Sequence, residues 1–322
     1  EISSITYGQL YDYESMNQHG VVPNGYLWAS SGTTRMAYDP LTGLWLFNLT
    51  NVPSGTLKYG PNGEILIYQM NYAKRWLALW NNTAAVGELA GTSGSNALQW
   101  RPVGKNIDAG NAYSWNVTLP SLTGIGTPAI IAVTDSMIFG RSTDMQSVGS
   151  TSRGSGTPDT YTLWAISIEP STRGQLLWIR NYSAPSGNMT ALIGPVDGET
   201  GVFTIEYRET MQWYGYDLYT GDKLWGPTTA ETAWNYWSGT SGALTSYTIA
   251  YGNLYTTGYG GVVYCYNLRT GETRWTYGNG GEGNSTSSGL ITVYGNYPVG
   301  FGAVADGKIY LYSSEHSPNA PA

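Results

Sequence analysis

The chain has 322 residues, of which 11% are charged, less than half the usual share of about 25%, while 41% are hydrophobic and 14% aromatic. That hydrophobic and aromatic content excludes a disordered chain. A net charge of -7 without any Lys/Arg cluster excludes a nucleic-acid partner, and no apolar run approaches the roughly 18 residues of a membrane-spanning helix, so the chain is expected not to span a membrane.

The elements read in chain order as short strands joined by Gly-rich turns. Ile5 to Tyr13 is the first strand-like segment. Asp39-Pro40-Leu41-Thr42-Gly43 forms a turn, followed by Leu44-Trp45-Leu46-Phe47. Ile65 to Met70 and Trp76 to Trp80 read as strands. Gly87 to Ala112 reads as a Gly/Ser/Asn-rich insertion, and Trp115 lies on the strand after it. Pro128 to Val133 is the most apolar stretch and reads as a strand. Thr162 to Ser167 leads through a turn at Arg173-Gly174 to Leu177-Trp178. Gly201 to Tyr207, Met211 to Tyr216, a turn at Thr220-Gly221 and Trp225 repeat that order. So do Tyr247 to Ala250, Asn253 to Thr257, Val262 to Tyr266, a turn at Thr270-Gly271, and Thr273 to Tyr277. Phe301 to Ala305 and Lys308 to Ser313 begin one more copy.

The repeat is clearest in Asp217-Leu218-Tyr219-Thr220-Gly221 before Trp225 and Asn267-Leu268-Arg269-Thr270-Gly271 before Trp275. Self-similarity at this period marks stacked units of one kind. Four antiparallel strands per unit make a propeller blade. The expected fold is all-β, a single propeller domain over 1–322, with about five fuller blades and a partial sixth. Phe47, Trp115, Trp178, Trp225 and Trp275 are the expected fourth-strand aromatics, wedged between neighbouring blades. The Asp or Asn at each turn is expected to bind nearby backbone.

At Asp-x-x-Thr-Gly-x-x-x-Trp the chain resembles the quinoprotein-type propeller repeats. These occur in pyrroloquinoline-quinone dehydrogenases and in non-enzymatic relatives at the cell surface or secreted. The resemblance covers most of the chain and implies a fold rather than an activity. The dehydrogenases carry a vicinal disulfide against the cofactor. With Cys265 as its single cysteine the chain lacks that element, so no quinone and no other cofactor is expected. Cys265 lies in a strand-like run and reads as a small buried hydrophobe.

Catalytic and metal-binding motifs are not recognised. Glu206 and Glu209 flank Arg208 and read as a salt-bridged edge rather than a glycosidase pair. His19 and His316 are the only histidines and read as solvated. Trp234, Tyr236 and Trp237, with Tyr294 and Tyr297 in the next connector, form the expected ligand surface for protein or carbohydrate, since Trp and Tyr among Asn, Ser and Gly suit stacking. Sequons at Asn48, Asn81, Asn116, Asn181, Asn188 and Asn284 are expected N-glycosylation sites. Asn48, Asn116 and Asn181 are expected just past the fourth strand. The chain begins at Glu1 without Met, as signal-peptide removal would leave it, so an extracellular or cell-surface location is expected. The expected role is a non-catalytic binding or structural module. The alternatives are a propeller hydrolase or quinone-dependent oxidoreductase with its site at the channel mouth, and a subunit of a surface assembly. Three readings would complete the partial blade: further blades in a longer protein, pairing with Ile5 to Tyr13, or strands donated by a neighbour.

Overall fold

The computed structural model describes residues 4–10, 25–89, 103–122, 126–143, 145–148, 160–183, 187, 189–237, 247–258, 260–278 and 299–313. It divides into two compact units, Glu1–Ser121 and Leu122–Ala322. The chain is all-β, built of four-stranded antiparallel blades with almost no helix.

In the first unit, β1 (Ile5–Leu10), β2 (Gly25–Ser31), β3 (Thr34–Tyr38) and β4 (Trp45–Thr50) form an antiparallel meander. The second blade starts with β5 (Thr56–Tyr59), β6 (Ile65–Asn71) and β7 (Trp76–Asn81). Then come α1 (Asn82–Leu89), β8 (Asn106–Asp108) and β9 (Tyr113–Thr118), and β9 pairs with β7 to finish the blade. The insertion expected over 87–112 is therefore more than a loop. Its β8 runs parallel to β4, with Asn48 opposite Asn106, and covers the edge of the first blade. Covering an edge removes a template for unwanted pairing. The core joins Tyr26, Trp28 and Phe47 to Ile65, Ile67 and Trp80. Its buried indoles are satisfied, as burial requires: Trp28 Nε1 donates to Gln9 Oε1 at 2.9 Å and Trp80 Nε1 to Ala109 O at 2.7 Å.

In the second unit, β10 (Ala129–Val133) and β11 (Met137–Arg141) precede a two-residue strand, β12 (Gln146–Ser147). β13 (Thr160–Ser167) and β14 (Leu176–Ser183) complete the third blade with β10 and β11. The fourth blade is β15 (Ala191–Asp197), β16 (Val202–Tyr207), β17 (Gln212–Asp217) and β18 (Lys223–Trp225), with β12 added in parallel to β15. The fifth is β19 (Tyr247–Ala250), β20 (Asn253–Thr256), β21 (Val263–Asn267) and β22 (Thr273–Tyr277). Among the described residues β23 (Val299–Ala305) and β24 (Lys308–Ser313) follow, as an antiparallel pair.

Each sheet alternates its side chains between two faces, so the fourth blade serves two cores. Ile193, Ile205, Tyr207 and Tyr216 meet Phe139, Leu163 and Trp178 of the third blade. Leu192, Val202, Trp213 and Trp225 meet Leu254, Tyr266 and Leu268 of the fifth. A third core sets Tyr255, Val263 and Cys265 against Val299 and Phe301.

The strands expected at Phe301 to Ala305 and Lys308 to Ser313 are found, the first starting two residues earlier. Asp306 and Gly307 both take positive φ, 51° and 70°, as Tyr251 and Gly252 do at 53° and 70°. Both are two-residue hairpin turns of the type that demands this geometry. In the first unit β1 pairs with β2 as the first strand of its own blade, and in the second β24 pairs with β23.

Candidate functional site

The turn residues build the joint between blades. Asp217 Oδ1 accepts the N–H of Tyr219 at 2.8 Å and of Thr220 at 3.1 Å. Asn267 Oδ1 does the same for Arg269 and Thr270 at 2.9 and 3.0 Å, and Asp39 Oδ1 for Leu41 and Thr42 at 2.9 and 2.8 Å. Gly43, Gly221 and Gly271 follow with φ of 69°, 75° and 73°, open to glycine at no steric cost. All five fourth-strand aromatics then reach the same register. Phe47 lies opposite Ala37, Trp115 opposite Leu79, Trp178 opposite Ala165, Trp225 opposite Gly215 and Trp275 opposite Cys265. In every case the register shifts at the next pair toward the turn, the signature of a bulge.

Two of these aromatics reach into the following blade. Trp178 Nε1 donates to Leu218 O at 3.0 Å, and Trp225 Nε1 to Leu268 O at 2.9 Å. The glycine of the following turn lies beneath the ring. A Cβ on Gly221 would stand 3.0 Å from Trp178 Cε3, and one on Gly271 would collide with the Trp225 ring. Trp178 and Trp225 are 8% and 7% exposed.

Trp275 is different. It is 43% exposed, and its indole N–H finds no acceptor among the described residues. Among the described residues it is therefore not buried as a wedge at this position. Its ring tilts against Tyr255 at 5.8 Å. Beside it opens a groove of about 590 Å³, lined by Tyr255, Val263, Trp275, Tyr277, Ile309 and Leu311 among others. The lining is aromatic and aliphatic, the composition of a binding surface. Beneath it, Cys265 is fully buried and burial pushes its thiol up to about 11, which makes it unreactive.

The same unit buries a second cluster around Glu231. This residue follows β18 in the connector to the fifth blade. Its Oε1 accepts Trp213 Nε1 at 3.0 Å, Tyr266 OH at 3.2 Å and the Thr256 hydroxyl. Its Oε2 accepts Asn235 Nδ2 at 2.8 Å, and Asn235 Oδ1 in turn accepts Gly260 N at 3.0 Å. Burial raises the Glu231 carboxyl, and these four donors oppose that by favouring its anion. Glu206 lies in one cross-strand row with Leu192 and Trp213, on the face toward the fifth blade. Burial pushes its carboxyl up to about 8, and the Glu231 charge adds to the shift. Glu206 therefore holds its proton well above the usual carboxylate range. Both Glu231 oxygens are engaged by protein donors, so the side chain pins the connector to two blades.

No known protein family matches the chain, and no curated protein matches it in sequence. Solved structures do match in shape. The computationally designed Ika8 protein aligns with a TM-score of 0.36 at 14% identity, over 79% of this chain and 58% of that one. BamB from Moraxella catarrhalis aligns at 0.32 and 12% identity, over 79% of this chain and 61% of BamB. The designed Ika4 protein aligns at 0.32 and 13% identity, over 60% of this chain and 95% of Ika4. The chain thus spans less than two thirds of Ika8 and of BamB.

The structure places the expected ligand surface only in part. Ala233–Trp237 forms a 3₁₀ turn. Tyr236 lies half-buried under the Arg208 guanidinium, 5.1 Å from the ring centroid, and its carbonyl accepts Arg208 Nε and Nη2 at 3.3 Å. The side chains of Trp234 and Trp237 lie outside the described residues, as do Tyr294, Tyr297, His19, His316, Asn188 and Asn284. The salt-bridged edge expected at Arg208 is not found. Arg208 turns to Tyr236, and Glu209 clamps Thr190 through its N–H at 2.6 Å and its hydroxyl at 2.8 Å.

The placement expected for three sequons is also corrected. Asn48, Asn116 and Asn181 lie within β4, β9 and β14, not past their ends, because these strands run beyond the aromatic. Asn48 Nδ2 is tied to Asn106 Oδ1 at 2.7 Å, whereas Asn116 and Asn181 are exposed. Asn81 ends β7 and accepts the N–H of Thr83 at 2.8 Å as α1 begins. Glu231 and the Trp275 groove were not singled out from the sequence. Glu231 is the one charged residue between Lys223 and Arg269, a signal that could have found it. Among the described residues no group of three His, Cys, Asp or Glu could hold a metal ion, and no helix is long and apolar enough to cross a membrane.

Proposed function

We propose that this chain is an extracellular or cell-surface propeller module of quinoprotein-like repeats, without a catalytic site of its own, that works by binding. The single observation behind this is the aromatic groove at Trp275, whose lining among the described residues is Tyr, Trp and aliphatic side chains that offer contact area. The partner is a protein or a carbohydrate, since exposed Trp and Tyr suit both. The repeated Asx-x-x-Thr-Gly turn supports the quinoprotein-like relationship, and exposed Asn116 and Asn181 support passage through a glycosylating compartment.

The acid pair favours one competing reading. Two carboxyls whose proton affinities are raised by burial are a common feature of acid–base catalytic sites. A panel of glycosidase, esterase and dye-linked dehydrogenase assays on the purified chain, run beside E206Q and W275A, decides between them. No turnover above background is expected from any of the three proteins. Turnover lost in E206Q but retained in W275A would overturn the binding-module reading.

A further inference from the structure

The connector between the fourth and fifth blades is held at two points. Glu231 anchors its start through Trp213, Tyr266, Thr256 and Asn235. Arg208 holds its end: Nε and Nη2 donate to the Tyr236 carbonyl, and the guanidinium lies over the Tyr236 ring. The two anchors differ in strength. Glu231 has four donors in a buried setting. The Arg208 bonds measure 3.3 Å each, longer than the common N–H···O distance of about 2.9–3.0 Å. A carbonyl offers the guanidinium fork one oxygen and no charge, whereas a carboxylate offers two oxygens and the opposite charge. A carboxylate within reach of Arg208 is therefore a competitor for it.

Glu206 stands between the anchors. On β16 it lies opposite Trp213, whose indole holds Glu231. Two residues on, Arg208 continues the same face of the strand, its N–H bonded to Thr190 O at 3.1 Å. The Glu231 and Arg208 charges both act on the Glu206 carboxyl, the first raising its proton affinity and the second lowering it. The remaining groups around it are fixed or neutral. Glu209 also raises its proton affinity, but Glu209 is clamped on Thr190. From β15 the facing residue is Leu192. The fifth blade brings Tyr264 and Tyr266, whose phenols are pushed up by burial and so stay neutral. The Glu206 side chain is half-buried, so solvent can exchange its proton without unfolding the blade.

We propose that Glu206 triggers a pH-operated latch on this connector: while the Glu206–Glu231 pair holds a proton, Arg208 grips Tyr236 and the connector is closed, and once the pair gives that proton up, Arg208 turns to Glu206 and releases Tyr236. The proton belongs to the pair, since two neighbouring carboxyls titrate together. Its loss to solvent leaves two like charges in a buried setting, which a cation must offset. Arg208 is the cation that acts on Glu206. The sign is fixed: the latch opens as pH rises and closes again as pH falls. Glu206 titrates at about 8, so the working range is mildly alkaline. The latch stands without the binding-module reading, but under that reading pH governs how Tyr236 meets a ligand.

The test is hydrogen exchange of the intact chain, read at the amides of Asn235 and Gly260. In the closed state these bond to Thr232 O at 2.9 Å and to Asn235 Oδ1 at 3.0 Å. Protection is expressed against the unstructured rate at each pH, which cancels the chemistry of exchange. Between pH 6 and pH 9 the parent is expected to lose protection at both amides by at least about fivefold, as a local opening does. Glu206→Gln copies the protonated acid and is expected to stay protected at both pH values. Arg208→Gln lacks the grip and is expected to be poorly protected at both, with no pH step. The Leu163 and Leu254 amides, in β13 and β20, verify at pH 6 that the variants are folded. Parent protection that holds at pH 9 would overturn the latch. So would a step that Glu206→Gln shares, or one that survives in Arg208→Gln. An equal loss at Leu163 and Leu254 would overturn it in favour of general loosening.

Discussion

Trp225 and Trp275 hold the same register position and differ in what lies beyond them. Trp225 is buried against Leu254, Tyr266 and Leu268, so Trp225→Ala should cost about 3–5 kcal/mol, as large aromatic truncations in cores do. Trp275→Ala should cost less than about 1 kcal/mol, the range of surface changes. Urea unfolding of the two variants beside the parent measures both, and equal losses would contradict the assignment of the joint. Glu206 gives a pH dependence with a definite sign. Its folded carboxyl titrates at about 8, against 4.5 for the free side chain. As pH rises between these values the unfolded chain releases this proton first. The contribution of Glu206 to stability therefore falls from about pH 4.5 to about pH 8, and levels off above. Denaturation midpoints measured across that window should decline in the parent and be flatter in Glu206→Gln. A parent no steeper than the variant would contradict the burial of this group. Glu231 escaped notice in the sequence because its partners Trp213, Asn235, Thr256 and Tyr266 come from four separate segments, and only folding assembles them.

At the scale of elements, the turn was the legible part. Asx-x-x-Thr-Gly states its own geometry: the side chain binds two N–H groups, the glycine takes positive φ, and a bulge sets the aromatic in register. Those are local interactions, which sequence spells out in order. The partnership of Gly271 with Trp225 is not local, and neither is β8 beside β4. Both depend on residues more than forty positions apart. Gly271→Ala combines a left-handed backbone with a collision against Trp225, so a loss of about 2–4 kcal/mol is expected from strain and overpacking together. The same change at Gly307, where φ is 70° but nothing stands within 4 Å, carries the backbone cost alone. Thermal unfolding of the two variants should rank them in that order. The strands also re-rank the sequons. Exposed Asn116 and Asn181 should carry glycans in native material, and Asn48, held by Asn106, should not. Peptide mass spectrometry reads all three, and a glycan on Asn48 with bare Asn116 and Asn181 would contradict the strand assignment.

At the scale of the whole molecule, charge and stability pull in opposite directions. The chain carries -7 at pH 7 and its net charge vanishes near pH 4.8. Solubility should be poorest there, since repulsion between molecules is lost. The Glu206 contribution to folding is greatest at that same acid end. Light scattering should therefore rise toward pH 5 while the unfolding midpoint of the soluble fraction does not fall. The joint itself has a direction. Trp178 is satisfied by a carbonyl 40 residues later, and Trp225 by one 43 residues later. A ribosome makes the indole before it makes the acceptor, at roughly 5–20 residues per second. The third and fourth blades thus emerge with Trp178 and Trp225 bare and stay so for a few seconds, until the next turn is translated. The growing chain hands one sticky end from the third blade to the fourth, and slowing translation after Trp225 should lengthen the time during which a chaperone can seize it.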